Sequence, residues 1–145
     1  MTTAVCHVNL ARGFRGGERQ TELLIRALAA RGLSQTLVAR RHQPLLARLA
    51  GTAGLELVAV GSAAQAAALR CGRAAVIHAH EARGAHAAFL RHAVTRQPYL
   101  LTRRVSNPPG GDFFTRRVYR AASCVPCVAA SVARGLEAWE PGVRT

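Results

Sequence analysis

The stretch VIHAHEARG holds the densest set of reactive side chains in the sequence, with His78, His80, Glu81 and Arg83 within six positions. An imidazole can move a proton near neutrality, ligate a metal or hydrogen-bond a ligand hydroxyl. If both histidines stay in a strand, side-chain alternation puts them on one face, with His80 nearer the carboxyl end. A zinc site needs three or four ligands, and the sequence shows no further ligand cluster, so no metal is expected. His78 reads as a packed, hydrogen-bonded core residue and His80 as the site candidate.

Three other segments carry polar chemistry. In ARGFRGGERQ, Gly16 and Gly17 stand immediately before a helix, where backbone N–H groups are free to meet an anion and glycine lets a ligand approach closely; Arg15 adds charge. The segment is neither a dinucleotide fingerprint nor a P-loop, since GxGxxG and GxxxxGK[ST] are both absent. In LLTRRVSNPPGG, Arg103 and Arg104 are adjacent strand residues that should point to opposite faces, so at most one is expected at a cleft, and Arg103 is the candidate. CVPC, Cys124 to Cys127, has the spacing of redox and zinc motifs. It lies in an apolar run without a second pair, and reads as buried strand cysteines. G-x-S-x-G is missing and carboxylates are few, so hydrolase readings find little support.

Hydrophobic periodicity supplies the elements that position these residues. Ala4 to Leu10 reads as a strand and Ala11 to Gly17 as a loop. Glu18 to Arg31 reads as an amphipathic helix stopped by Gly32, with Glu22 and Arg26 spaced to pair. The alternation continues with strand Gln35–Ala39, helix Pro44–Leu49, strand Leu55–Val60, helix Ser62–Cys71, strand Ala74–Ala79 and helix Gly84–His92. Strand Tyr99–Val105, helix Asp112–Ala122, strand Cys124–Ala129 and a last helix capped by Ser131 complete it. Strands alternating with helices predict a doubly wound, Rossmann-like α/β domain, a parallel sheet of about six strands with helices on both faces. Ligands of such sheets bind outside the carboxyl ends of the strands. That selects the loops at Ala11–Gly17, Arg40–Gln43, Gly61–Ser62, His80–Gly84, Ser106–Asp112 and Ala130–Ser131.

All twenty basic residues are arginine, and against seven acids they give a formal charge of +13. Such a surface suits a polyanion, an anionic bilayer face or a phosphate-bearing small molecule; part of it is equally an ordinary solvated surface. Arginines interrupt every apolar run, so no membrane-spanning helix is expected. The scattered cysteines, Cys6, Cys71, Cys124 and Cys127, and the lack of a signal-like start point to a reducing cytoplasmic setting.

HVNLARGFRGGERQTELLIRALAARG, VIHAHEA and CVPCVAASVARGL together resemble the N-terminal domain of family 4 retaining glycosyltransferases of the GT-B fold. The resemblance implies that Gly16 and Gly17 lie near the donor phosphates and the acceptor. It also implies that His80 faces the transferred sugar in a positioning role, and that Arg15, Glu81, Arg103 and Ser131 belong to the substrate-binding set. Such enzymes take a nucleotide sugar as substrate and are usually metal-independent, with no further cofactor. Their donor nucleotide and the E-x7-E element belong to a C-terminal domain that these residues do not contain, so the isolated chain is expected to be inactive. An anionic glycan or lipid-linked acceptor, as in lipopolysaccharide synthesis at the inner face of the cytoplasmic membrane, matches the charge. The alternative is a nucleic-acid or other polyanion-binding α/β module, although the few aromatics form no RNA-binding set.

Overall fold

The computed structural model describes residues 4–68 and 74–145. Along the chain run β1 (Val5–Asn9), α1 (Gly16–Ala30), β2 (Gln35–Arg40), α2 (Pro44–Leu49), β3 (Leu55–Val60) and α3 (Ala63–Ala68). Then come β4 (Val76–Ala79), α4 (Ala82–Thr95), β5 (Tyr99–Leu101), α5 (Phe113–Ala121) and α6 (Ala130–Trp139). Every strand pair is parallel and the order is β3-β2-β1-β4-β5. This is the doubly wound α/β fold expected from the alternation. The end of the expected helix Ser62–Cys71, with Cys71 itself, lies outside the described residues; Ser62 Oγ accepts from Gln65 N at the start of α3.

Alternation along the strands sorts side chains to two faces. Cys6, Val8, Val38, Ile77 and Ala79 join a core with Ala85 and Ala88 of α4, Val118 of α5 and Leu136 of α6. On the opposite face Leu37 and Ala39 pack with Ile25 of α1 and with Leu45 and Leu49 of α2. A six-residue helix such as α2 is too short to be stable alone. Burial of Leu45 and Leu49, worth about 1.5–3 kcal/mol each, holds it. His7, the Cα partner of both Leu37 and His78, continues this second face toward β4. There the covering is polar instead of apolar.

Several boundaries differ from the sequence expectation, each for a local reason. Gly16 and Gly17 are not a loop before the helix but its first turn. The Glu18 carboxylate accepts Arg15 N–H at 2.8 Å and Arg19 N closes onto Arg15 O at 2.9 Å, which starts α1 two residues early. Glu22 pairs with Arg26 as its spacing predicts, and it is buried beneath Arg19, Arg26 and Arg48. Helix α4 likewise begins early, because Glu81 caps it. Gly32, at φ +75°, ends α1 as expected.

The expected sixth strand, Cys124–Ala129, reduces to two isolated parallel bridges, Leu100 to Cys124 and Arg103 to Cys127. Leu101 N donates to Cys124 O, Arg103 N to Pro126 O, and Val128 N to Arg103 O. The rung between them would need an N–H that Pro126 lacks. The same switch of partners shortens β5, which ends at Leu101 and not at Val105. Cys124 and Cys127 are free thiols, half-buried where a fully buried strand was expected. Ser131 is not a cap. Pairing by Val128 sets the turn at Ala129, which is the N-cap, and Ser131 becomes the second residue of α6, exposed to solvent.

Candidate functional site

In a sheet of order β3-β2-β1-β4-β5 the winding direction reverses between β1 and β4, and the crevice beyond the carboxyl ends of these strands is the favoured ligand position. A cleft of about 580 Å³ opens there. One wall is the loop before α1 and the start of that helix, with Arg12, Arg15, Gly16, Gly17 and Gln20. The floor is His80 and Glu81 after β4, and the far wall is Thr102 to Val105 with Tyr119 of α5. A smaller cavity of about 230 Å³, lined by His86, Pro108 and Pro109, shares Arg103 and Tyr119 with it.

His80 forms the floor but is only 2% exposed. Its Nδ1 lies 3.1 Å from Arg104 Nη2, and since arginine only donates, this nitrogen accepts. The proton of neutral His80 therefore sits on Nε2, which donates to His7 Nδ1 at 2.9 Å. His7 in turn donates from Nε2 to Gln35 Oε1 at 3.0 Å, and Gln35 Nε2 donates to Ile25 O at 3.0 Å. One set of tautomers satisfies the whole chain, from the cleft to the buried backbone of α1. An unsatisfied buried polar group would cost about 1–3 kcal/mol, so the chain makes a polar strip tolerable inside the sheet.

The electrostatics agree with neutral rings. Burial lowers His7 to about 4, against a smaller raising effect from Gln35. Burial, then the neighbouring His7 and Arg104, lower His78 to about 4, and its Nε2 pairs with Thr102 Oγ1 at 2.7 Å. His80 is held well below its ordinary value by burial and then by His78, His7 and Arg104. A proton added to His80 Nδ1 would face the guanidinium.

The pairing of β1 with β4 brings a third histidine, His7, beside His78 and His80, and one ring nitrogen of each lies within 4.8 Å of the others. Among the described residues these three form the group that could hold a metal. A dication there would break the His7–His80 hydrogen bond and stand beside the Arg104 charge, so the arrangement suits hydrogen bonding better.

Of the residues singled out in sequence, His80, Arg15, Gly16, Gly17, Glu81 and Arg103 line this one cleft, and Ser131 does not. Glu81 accepts from Leu10 N at 2.9 Å, Arg83 N at 2.7 Å and Gly84 N at 2.6 Å, so its carboxylate ties β1 to α4. Both adjacent arginines reach the cleft, against the expectation of at most one. Strand alternation no longer applies past Leu101. Arg104, Gln20, His7 and Gln35 were missed. The pairing of β1 with β4 opposes His7 to His78, a relationship that appears only once the register is known.

No protein-family model and no curated protein sequence matches the chain. Among solved structures the fold is similar to that of Anabaena Alr3699/HepE, crystallised in complex with UDP and glucose, with a TM-score of 0.70 and 11% identity. The similarity covers 95% of this chain and 41% of that one, so the chain spans about two fifths of the length of its structural neighbour. At this identity the match shows the fold, a doubly wound α/β domain.

Proposed function

We propose that the chain is the N-terminal, acceptor-binding half of a nucleotide-sugar-dependent glycosyltransferase of the GT-B type. The observation that carries this reading is the cleft at the β1/β4 reversal. There the first turn of α1, with Arg15, Gly16 and Gly17, faces Arg104 above His80. The fold shared with a protein crystallised with UDP and glucose supports it, as does the 41% share of that longer chain. The donor nucleotide belongs chiefly to a second, C-terminal domain.

In the retaining route of family 4, the acceptor hydroxyl attacks the anomeric carbon on the face from which the nucleoside diphosphate departs. The hydroxyl proton passes to the leaving diphosphate oxygen, and no protein base is required. This accords with a His80 whose two ring nitrogens are both engaged. An acceptor with anionic character, such as a lipid-linked or lipopolysaccharide-type glycan at a membrane face, suits the excess of arginine. No helix among the described residues is long and apolar enough to cross a membrane.

Orientation of donor and acceptor can contribute about 7–11 kcal/mol to such a reaction, so half of the site should bind weakly and turn over nothing. The test is calorimetric titration of the chain with a panel of nucleotide sugars, alongside an assay for transfer. Binding near the millimolar range without turnover is expected; micromolar binding with turnover would place the whole donor site in these residues and sink the two-domain reading.

A further inference from the structure

Arg103 and Arg104 are neighbours in sequence and opposites in use. Arg103 clasps its own loop: Nε donates to Val105 O at 3.1 Å, Nη2 to Asn107 O, and Nη1 to Tyr119 Oη at 3.0 Å. Arg104 reaches across the cleft, donating from Nε to Gln20 Oε1 at 2.7 Å, from Nη1 to His80 O at 2.6 Å and from Nη2 to His80 Nδ1 at 3.1 Å. None of its acceptors is a carboxylate, and no ion pair among the described residues includes it. The two carboxylates of the cleft are engaged by backbone N–H groups, Glu18 by Arg15 and Glu81 by Leu10, Arg83 and Gly84.

A guanidinium has five N–H groups, and three of Arg104's point at these acceptors, which leaves one on each Nη. Gly17 lies alongside: a Cβ there would stand 3.5 Å from Nη1, in van der Waals contact with the guanidinium. Arg12 and Arg15 add positive charge to the same wall. The result is a partly desolvated cation, held by neutral groups on three sides, on which Glu18 acts through space without pairing.

We infer that the cleft contains an oxyanion subsite whose principal cation is Arg104, with His80 as a positioning residue that fixes the guanidinium. The ligand group is a phosphate or a carboxylate, bound through the two remaining Nη–H donors in the manner of charge-assisted pairs. The relay through His7 and Gln35 to Ile25 O keeps His80 Nδ1 unprotonated and so able to accept from Arg104. This deepens the glycosyl-transfer reading and rests on it only for which molecule brings the oxyanion, a donor diphosphate or an acidic acceptor sugar.

The experiment is NMR of the arginine Nε–H and histidine ring nitrogens in the whole chain, with the Arg104 signal assigned from an Arg104→Lys spectrum. Inorganic pyrophosphate and glucuronate are titrated separately to roughly 10 mM, enough to detect millimolar affinity. Before titration His80 should be protonated on Nε2 alone. A shift of Arg104 Nε–H with pyrophosphate only points to the donor, with glucuronate only to an acidic acceptor, and with both to a general oxyanion subsite; each supports the inference. Arg104→Met should weaken binding about tenfold or more. Arg117→Met, which removes the same charge from outside the cleft, should not.

His80→Phe should broaden the Arg104 signal and lower affinity, whereas a merely structural role would leave that signal unmoved in a folded variant. The inference is overturned if neither anion shifts Arg104, or if His80 is protonated on Nδ1 at the outset. The wild-type titration decides even where a variant fails to fold. Because no turnover is measured, a protein that transfers no sugar could still pass, and an active transferase could still fail.

Discussion

His80 donates from Nε2 to His7 Nδ1 across 2.9 Å, joining the floor of the cleft to the central strand of the sheet. His7 must be neutral for its Nδ1 to accept this bond, and His80 must be neutral for its Nδ1 to accept from Arg104. With His7 and His78 lowered to about 4 from the ordinary 6.5, the unfolded chain binds more protons than the folded one between those values. Stability is therefore fully present above about pH 6.5 and is lost as pH falls toward 4, at about 1.4 kcal/mol per pH unit for each proton. Glu22 adds to this lower down. Burial pushes its carboxyl up, but hydrogen bonds from Arg48, Arg19 and Arg26 outweigh that and bring it to about 2, so its contribution fades from about 4.5 downward. Urea denaturation at a series of pH values checks the upper window. A midpoint unchanged between about pH 7 and pH 5 would mean that the histidines are not held neutral.

Among the described glycines, Gly84 sits closest to another backbone. A Cβ built there would lie 2.7 Å from Val8 O, a backbone atom that cannot turn aside. Gly84→Ala should destabilise the protein by about 1–3 kcal/mol, the usual range for overpacking, by pushing the start of α4 away from β1. Equilibrium unfolding measures the loss. A variant as stable as the parent would show that α4 can retreat freely.

The alternation of strands and helices was legible because the strands are short and mostly apolar and several helices carry their own stop or cap, as Gly32 and Ser62 do. Pro44–Leu49 and Leu55–Val60 coincide with the structure for that reason. The polar strip under α1 was not legible. Thr21 and Gln35 are polar residues in buried positions, and they meet Asn9 of β1 and His7 and Ile25 O on other elements. His80 was found from its place at a strand end. Arg104 was passed over because strand alternation, applied beyond the true end of β5, assigned the two arginines to opposite faces.

Pro126 explains why the sixth strand failed, and the explanation can be tested. Cys124 O and Pro126 O already accept from Leu101 N and Arg103 N, and Val128 N already donates to Arg103 O. A donor at position 126 would complete the ladder. Pro126→Val should therefore yield a new amide protected from hydrogen exchange and a continuous strand beside β5. The net stability change should be small, since a hydrogen bond worth about 0.5–1.5 kcal/mol is offset by the lost rigidity of proline, about 0.4–1 kcal/mol. Rapid exchange of the new amide would show that something other than the missing N–H interrupts the pairing.

Glu81 separates a structural role from a ligand-binding one. Sequence reasoning placed it in the substrate-binding set, and it does line the cleft, yet its carboxylate already accepts three backbone N–H groups, those of Leu10, Arg83 and Gly84. Removing it would leave the start of α4 uncapped and the Leu10 N–H in want of an acceptor. We expect Glu81→Ala to cost about 1–3 kcal/mol of stability. Glu81→Gln, which keeps one acceptor oxygen, should retain much of it. Anion binding at Arg104 should survive in both variants wherever the fold does, because Glu81 makes no hydrogen bond or ion pair with that guanidinium. Denaturation curves and a pyrophosphate titration of the same samples distinguish the roles. If Glu81→Ala keeps full stability while ligand binding disappears, the carboxylate serves the ligand and its capping contacts are incidental.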